Sequence, residues 1–152
     1  MSRGYGHAGS RAYRDGVDMK AINAQVISDY RAGGEISVKG MHRERIVLLT
    51  TTGASTGEPQ TTPVMFRPTS DGILVVASDD GAAAEPHWYR NLIADPHLHV
   101  EAPDAEYDAR ARVLDGAERE DTWVRLTADL PMFLDQQERA GRQLPLVELV
   151  RI

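Results

Sequence analysis

Between Thr50 and Gln60 the chain reads TTTGASTGEPQ, and these are the residue types of a hydrogen-bonding loop. Gly53 and Gly57 can take φ > 0, and the backbone amides around them join the hydroxyls of Ser55 and Thr56 in a donor set that could cradle an anion. Ser55 and Thr56 stand in no G-x-S-x-G context and have no general base nearby, so they read as hydrogen-bond donors and not as nucleophiles. A second polar loop, Ala77-Ser78-Asp79-Asp80-Gly81, ends the apolar run over residues 73–76. A third segment, PHWYRNLIADP over residues 86–96, sets Trp88, Tyr89, Arg90 and Asn91 on one short helix. Loops of Gly, Ser and Thr between strands are most often plain turns, so chemistry is suggested only by the three segments taken in order.

The elements that must position these residues are mostly strands. Ile46, Val47, Leu48 and Leu49 followed by three β-branched threonines suit a pleated, buried strand ending at Gly53, and Pro59 and Pro63 stiffen the exit. Pro86 and Pro96 bracket the helix between them. Trp88 and Tyr89 occupy adjacent helix positions and cannot both face the core, so one anchors the helix and the other faces the pocket. Upstream, Met19, Ile22, Val26 and Tyr30 recur at helical spacing until Gly33-Gly34 stops the pattern.

Past Pro96 a short strand is expected around residues 98–101 and a longer one over 106–114. In the longer one Tyr107, Ala109, Ala111 and Val113 share a face opposite Asp108, Arg110 and Arg112. Two arginines on the wet face of a strand are more often solvated or paired with carboxylates than bound to an anion. Gly116 begins a helix carrying Trp123, Leu126 and Leu130, Pro131 breaks it and starts a second with Met132, Phe133 and Leu134, and residues 144–152 form a last strand. Strands followed by helices without βαβ alternation predict an α+β domain, a mainly antiparallel sheet or partly open barrel with flanking helices.

A chain of 152 residues suits one domain, placed here over residues 17–152, with the glycine-rich and polar residues 1–16 as a flexible arm. The 17 Lys and Arg against 23 Asp and Glu, a net charge of −6, argue against a general nucleic-acid surface. With no cysteine there is no disulfide framework, thiolate metal site or thiol nucleophile. No apolar run reaches the roughly 18 residues of a membrane span, and the lack of an apolar signal segment points to the cytoplasm. His97, His99 and Glu101 alternate onto one strand face and could imitate a metal site, but a surface strand explains them equally well and no metal is assigned.

The order strand, TTTG loop, strand, strand with ASxxG, then PxWYxNLxAxP resembles the deazaflavin-dependent nitroreductase and quinone reductase-like family. GAERE at 116–120 and the closing LPLVELVRI also fit it, so the resemblance covers about residues 20–152. It implies a split β-barrel that binds reduced coenzyme F420 and transfers hydride to quinones, nitro compounds or activated alkenes. Carried over residue by residue, it implies Thr50, Thr51, Thr52 and Ser78 beside the ring or ribityl region and Gly53, Ala54, Ser55, Thr56 and Gly57 around the phosphate. Trp88 with Asn91 would close the wall, and Gln60, Ala77, Asp79, Tyr89 and Arg90 complete the implied cofactor-binding set. Family members carry basic residues where this chain has Ala54, Ser55 and Gln60, and often a lysine where it has Asp79; Arg90, Lys39, Arg43 and Arg45 are the cations that could compensate.

Where well-known reductases of the family set tyrosines against the substrate, this chain offers Leu130, Phe133 and Gln136. No catalytic residue is thereby assigned; a proton would come through water on Gln136, from Tyr89 or from solvent. The rival reading is a split barrel that has lost the deazaflavin and works as a cofactor-free isomerase or cyclase, or as a small-molecule binding module. Flavin mononucleotide is the alternative cofactor. The expected partner is a small-molecule substrate, and a homodimer is left open.

Overall fold

Val47, Leu49 and Thr51 point to one side of the first strand, and Ile46, Leu48 and Thr50 to the other. This alternation sorts the molecule into an inner and an outer face. The structure, a computed structural model, describes residues 19–152, so the arm expected over residues 1–16 lies outside the described residues. In chain order the elements are α1 (Met19–Ala32), a 3-10 turn (Arg43–Arg45), β1 (Ile46–Thr52), β2 (Pro59–Met65), β3 (Arg67–Pro68), β4 (Gly72–Val76), a second 3-10 turn (Asp79–Gly81), α2 (His87–Ala94), β5 (His97–Glu101), β6 (Glu106–Val113), α3 (Gly116–Asp129), α4 (Met132–Ala140) and β7 (Leu146–Arg151). Every strand pairing is antiparallel, and the seven strands run β2-β1-β5-β6-β7-β4-β3 in one curled sheet, a half-barrel of the expected split-barrel kind.

The inner face holds the main core, in which Val47, Leu49, Val75, Val100, Val147 and Leu149 pack with Trp88 and Leu92 of α2. Burying a side chain of this size contributes about 1.5–3 kcal/mol, so α2 is fixed to the sheet by its own apolar stripe. On the outer face, α1 covers β1 through Val26 and Tyr30 against Ile46 and Leu48, and the Tyr30 hydroxyl donates to the Ile46 carbonyl at 2.9 Å. Helices α3 and α4 cover another part of it, with Trp123, Leu126 and Phe133 against Leu74, Leu144 and Leu146.

Strand β6 follows the expected alternation through Ala111, but Val113, at its end, is 39% exposed. Of its arginines, Arg112 follows the reading of pairing with carboxylates, and Arg110 is exposed beside a histidine. Arg112 donates to Glu118 and to Glu148, each at 2.7 Å, and Arg110 donates to the His97 ring at 3.2 Å.

Candidate functional site

Asn91 reaches from α2 into the TTTG loop and is 4% exposed. Its amide nitrogen donates to Thr51 Oγ1 at 3.0 Å and to Gln60 Oε1 at 2.8 Å, while its Oδ1 accepts from the Ala54 amide at 2.9 Å. One side chain therefore ties both strands of the hairpin and the loop between them to a single helix.

Within the loop, the Gly53 amide donates to the Glu58 carbonyl at 2.8 Å, Gly57 to the Gly53 carbonyl at 2.9 Å, and Glu58 to Thr56 Oγ1 at 3.1 Å. Of residues 53–57, only the amides of Ser55 and Thr56 have no partner among the described residues. Gly53 is required sterically, because a Cβ there would stand 2.5 Å from Thr56 Oγ1. At Gly57, with φ +72, nothing lies within 4 Å of that position, so the loop meets open space there.

The second loop has an uncommon backbone. Asp79, Asp80 and Gly81 take φ of 46, 55 and 79, three left-handed residues in succession. Aspartate tolerates that region better than most residues, and glycine enters it freely. A Cβ on Gly81 would lie 2.9 Å from the Gln136 carbonyl, so the turn sits directly on α4. Arg142 holds the loop from beneath: Nε donates to the Ala82 carbonyl at 3.1 Å, Nη1 to Ala77 at 3.2 Å, and Nη2 to Ser78 and Ala84 at 3.2 Å each.

The charges around this loop act on one another. Asp79 keeps exposed atoms, yet the surrounding protein removes enough water to push its carboxyl above the usual range, against the pull of Arg142, His87 and Arg90. Protein around His87 and the nearby Arg90 push the imidazole below its ordinary value, while Asp79 works the other way. The Tyr89 phenol is raised by burial and by Glu85, with Arg142 opposing.

Helix α2 is thus common to both loops: Asn91 bonds the first, and His87, Tyr89 and Arg90 share a field with the groups of the second. Trp88, 3% exposed, is the core anchor, and half-buried Tyr89 packs against the same core. Ala77 and Ser78 are buried at the head of the second loop.

Other expected residues are not gathered here. The three threonines divide by strand alternation, and only Thr51 meets Asn91. Thr50 bonds Thr61 at 2.8 Å, and all three threonines border a cavity of about 330 Å³ with Pro59, His97, His99 and Asp108. Leu130 and Phe133, expected as pocket walls, pack in the outer cluster under α3 and α4, and Phe133 is 6% exposed. Gln136 is 4% exposed, and its Oε1 has no partner among the described residues.

Of the cations proposed to compensate, Arg43 donates to the Tyr30 carbonyl with its guanidinium 4.4 Å from the Tyr30 ring centre, and Arg90 donates to the Glu85 carbonyl. His97 and His99 do share the outer face, but the His99 nitrogens meet Asp108 at 2.9 Å and Glu106 at 2.7 Å. Among the described residues no cluster of His, Asp and Glu could hold a metal. A larger cavity of about 410 Å³, lined by Arg67, Arg112, Glu118, Asp129 and Glu148 among others, lies between α3 and the outer face, where ion pairs link Arg67 to Asp129 and Arg112 to Glu118. None of its lining residues belongs to α2 or to either loop, so cavity size alone does not point to them. Arg142 is the residue that sequence reasoning missed; its only signal was a lone arginine between a helix-ending glycine and the last strand.

A family model described as F420H(2)-dependent quinone reductase matches residues 23–150. An F420H(2)-dependent quinone reductase of Mycobacterium tuberculosis (strain H37Rv) is 30% identical over 110 residues, covering 69% of this chain and 72% of that one. A solved F420-H2 dependent reductase superposes with a TM-score of 0.61 at 34% identity, over 69% of this chain and 93% of its own. Another solved structure, described as a domain-swapped dimer, gives 0.64 at 31% identity over 83% and 94%. The fold and the family match make this a split-barrel reductase. The chain belongs to the F420H(2)-dependent quinone reductase family, and is thereby a deazaflavin-dependent oxidoreductase with coenzyme F420 as its cofactor.

Proposed function

We propose that this chain reduces a small quinone with reduced coenzyme F420 held where α2 meets the loops over residues 53–57 and 77–84. The observation that carries this reading is the Asn91 carboxamide, which fixes the first loop to the helix that also shares its charges with the second. The donor set fits the coenzyme's phosphate: the Ser55 and Thr56 amides and the Ser55 hydroxyl are unengaged among the described residues, and the loop opens to space at Gly57. When bound, the reduced deazaflavin supplies hydride to the electron-poor acceptor.

The chain's own residues do the rest. Ser55, Thr56 and the backbone between them hold the phosphate, Ala77 and Ser78 border the ring side, and buried Trp88 keeps α2 rigid beneath it. A quinone that has gained hydride also needs one proton. Leu130 and Phe133 carry none to give. Tyr89, its phenol raised by burial, stays protonated at neutral pH and can donate a hydrogen bond to the charge developing on the acceptor oxygen, with water delivering the proton. A cytoplasmic location belongs to the same reading, and no helix among the described residues is long and apolar enough to cross a membrane. A second copy of the chain is a candidate partner, supported by the related domain-swapped dimer and tested by sedimentation.

The test is stopped-flow oxidation of reduced deazaflavin on mixing with quinones, nitroarenes and enones, alongside binding titrations of deazaflavin and flavin mononucleotide. Quinone-dependent oxidation and deazaflavin binding are expected. No acceptor-dependent oxidation with any of the three classes would overturn the reading.

A further inference from the structure

Arg142 lies outside every segment whose residues suggested chemistry, yet it makes four hydrogen bonds to the 77–84 loop. Its guanidinium reaches the carbonyls of Ala77, Ser78, Ala82 and Ala84 at 3.1–3.2 Å. We propose that Arg142 is a positioning residue of the reductase, which holds the Ser78–Asp79 backbone in the shape that meets the cofactor. The proposal rests on the reading that this loop borders the coenzyme.

The loop needs an external template. Three successive residues are left-handed, a conformation that two aspartates adopt only at a cost in strain. Local hydrogen bonds are few: Gly81 donates to Ser78 at 2.9 Å and Ala82 to Asp79 at 3.1 Å. A planar guanidinium has five N–H donors in a fixed fork, so it can aim at several carbonyls at once, whereas an ammonium is a single point of charge. Carbonyl oxygens carry partial negative charge, and a cation stabilises their convergence.

The clamp is itself anchored on both sides. Gly141, left-handed at φ 66, ends α4 just before it, and after it the Ala77 amide donates to the Pro145 carbonyl at 3.0 Å. The loop is thereby referred to the C-terminal frame and not only to its own strand. Arg142 touches the loop through main-chain carbonyls, so it acts on the reaction through Ser78 and Asp79 and not by contact with the acceptor.

The variants are Arg142→Lys, which keeps charge and aliphatic stem, and Arg142→Ala. Amide exchange in the protein without cofactor reads the clamp directly: the Ala77, Gly81 and Ala82 amides should exchange about tenfold or more faster in both variants, with β4 and β7 interiors unchanged. Kinetically, the KM for reduced deazaflavin should rise about tenfold with kcat within about twofold, and millimolar guanidinium should restore the alanine variant but not the lysine one. Unchanged exchange at these amides in Arg142→Lys would overturn the clamp. Changed exchange with an unchanged KM would overturn its role in the reaction. If Arg142→Ala does not fold, Arg142→Lys carries exchange and KM alone. A wild-type chain that never oxidises reduced deazaflavin would sink the functional reading, while the exchange measurement would still judge the clamp.

Discussion

The amide of Ala54 donates to Oδ1 of Asn91 at 2.9 Å, so the first turn of the hydroxyl-rich loop hangs from helix α2. The bond uses an amide that would otherwise be available to an anion, and it sets where the two remaining amides, of Ser55 and Thr56, can point. The shape of the loop is thereby tied to a residue 37 positions away in the chain.

Replacing Asn91 separates shape from burial. Asn91→Ala leaves the Ala54 amide, Thr51 Oγ1 and Gln60 Oε1 without their partner, and a buried polar group left unsatisfied costs about 1–3 kcal/mol. A lowered urea midpoint and weaker deazaflavin binding are expected together. Asn91→Asp keeps an acceptor for Ala54 but loses both donors, so it should retain the loop better than alanine does. Wild-type affinity in Asn91→Ala would show that the loop holds its shape unaided.

Phe133→Tyr tests where that ring sits. At 6% exposure among Trp123, Leu126 and Leu146, an added hydroxyl must be desolvated, at about 1–3 kcal/mol. Chemical denaturation should show that loss while quinone preference stays unchanged. Full stability with an altered acceptor preference would instead make Phe133 a pocket wall.

The sequence carried most of the fold because its signals were local: the β-branched run at Ile46, the proline brackets of α2 and the Pro131 break each act within a few residues. Threonine-rich β1 was legible as a strand, but which threonine faces α2 depends on register, and one step of period two turned Thr50 and Thr52 outward. Two-residue β3 was too short to leave a pattern. Leu130 and Phe133 were expected at the pocket from the family resemblance, and the sequence could not display their packing beside Leu146 and against Leu74, which stands more than fifty residues earlier in the chain. Arg142 was invisible for a different reason. Its partners are main-chain carbonyls, which carry no residue identity for a sequence to display.

Stability should depend on pH through His99. Hydrogen bonds to Asp108 first and Glu106 second hold its imidazole above the ordinary value of 6.5, against partial loss of water. The folded value exceeds the unfolded one, so the stabilisation is fully present below pH 6.5 and is lost as pH rises through the higher folded value. The stability difference between wild type and His99→Asn, from urea melts, should therefore be larger near pH 6 than near pH 9. A difference that is constant or grows with pH would mean that the ring stays neutral between its two carboxylates.

The last expectation concerns the cations this loop pair lacks. Asp79 stands at φ 46 near Arg142 and Arg90, so its carboxylate both tolerates the left-handed backbone and offsets two cations, while the His87 imidazole is held below its ordinary value. Ser55→Lys with Asp79→Lys should tighten deazaflavin binding by about 1–3 kcal/mol through charge-assisted contacts, and more for longer acidic tails. The same pair should destabilise the protein, since a lysine in the left-handed region costs about 1–2 kcal/mol and adds a third positive charge beside Arg142 and Arg90. Ser55→Lys with Asp79→Asn separates these effects: asparagine tolerates the backbone, removes the negative charge and adds no like-charge neighbour. It should keep most of the affinity gain at little cost in stability, and both variants should bind with a steeper salt dependence than the wild type. Unchanged affinity in both, measured by titration at low and moderate salt, would place the acidic end of the coenzyme away from Ser55 and Asp79.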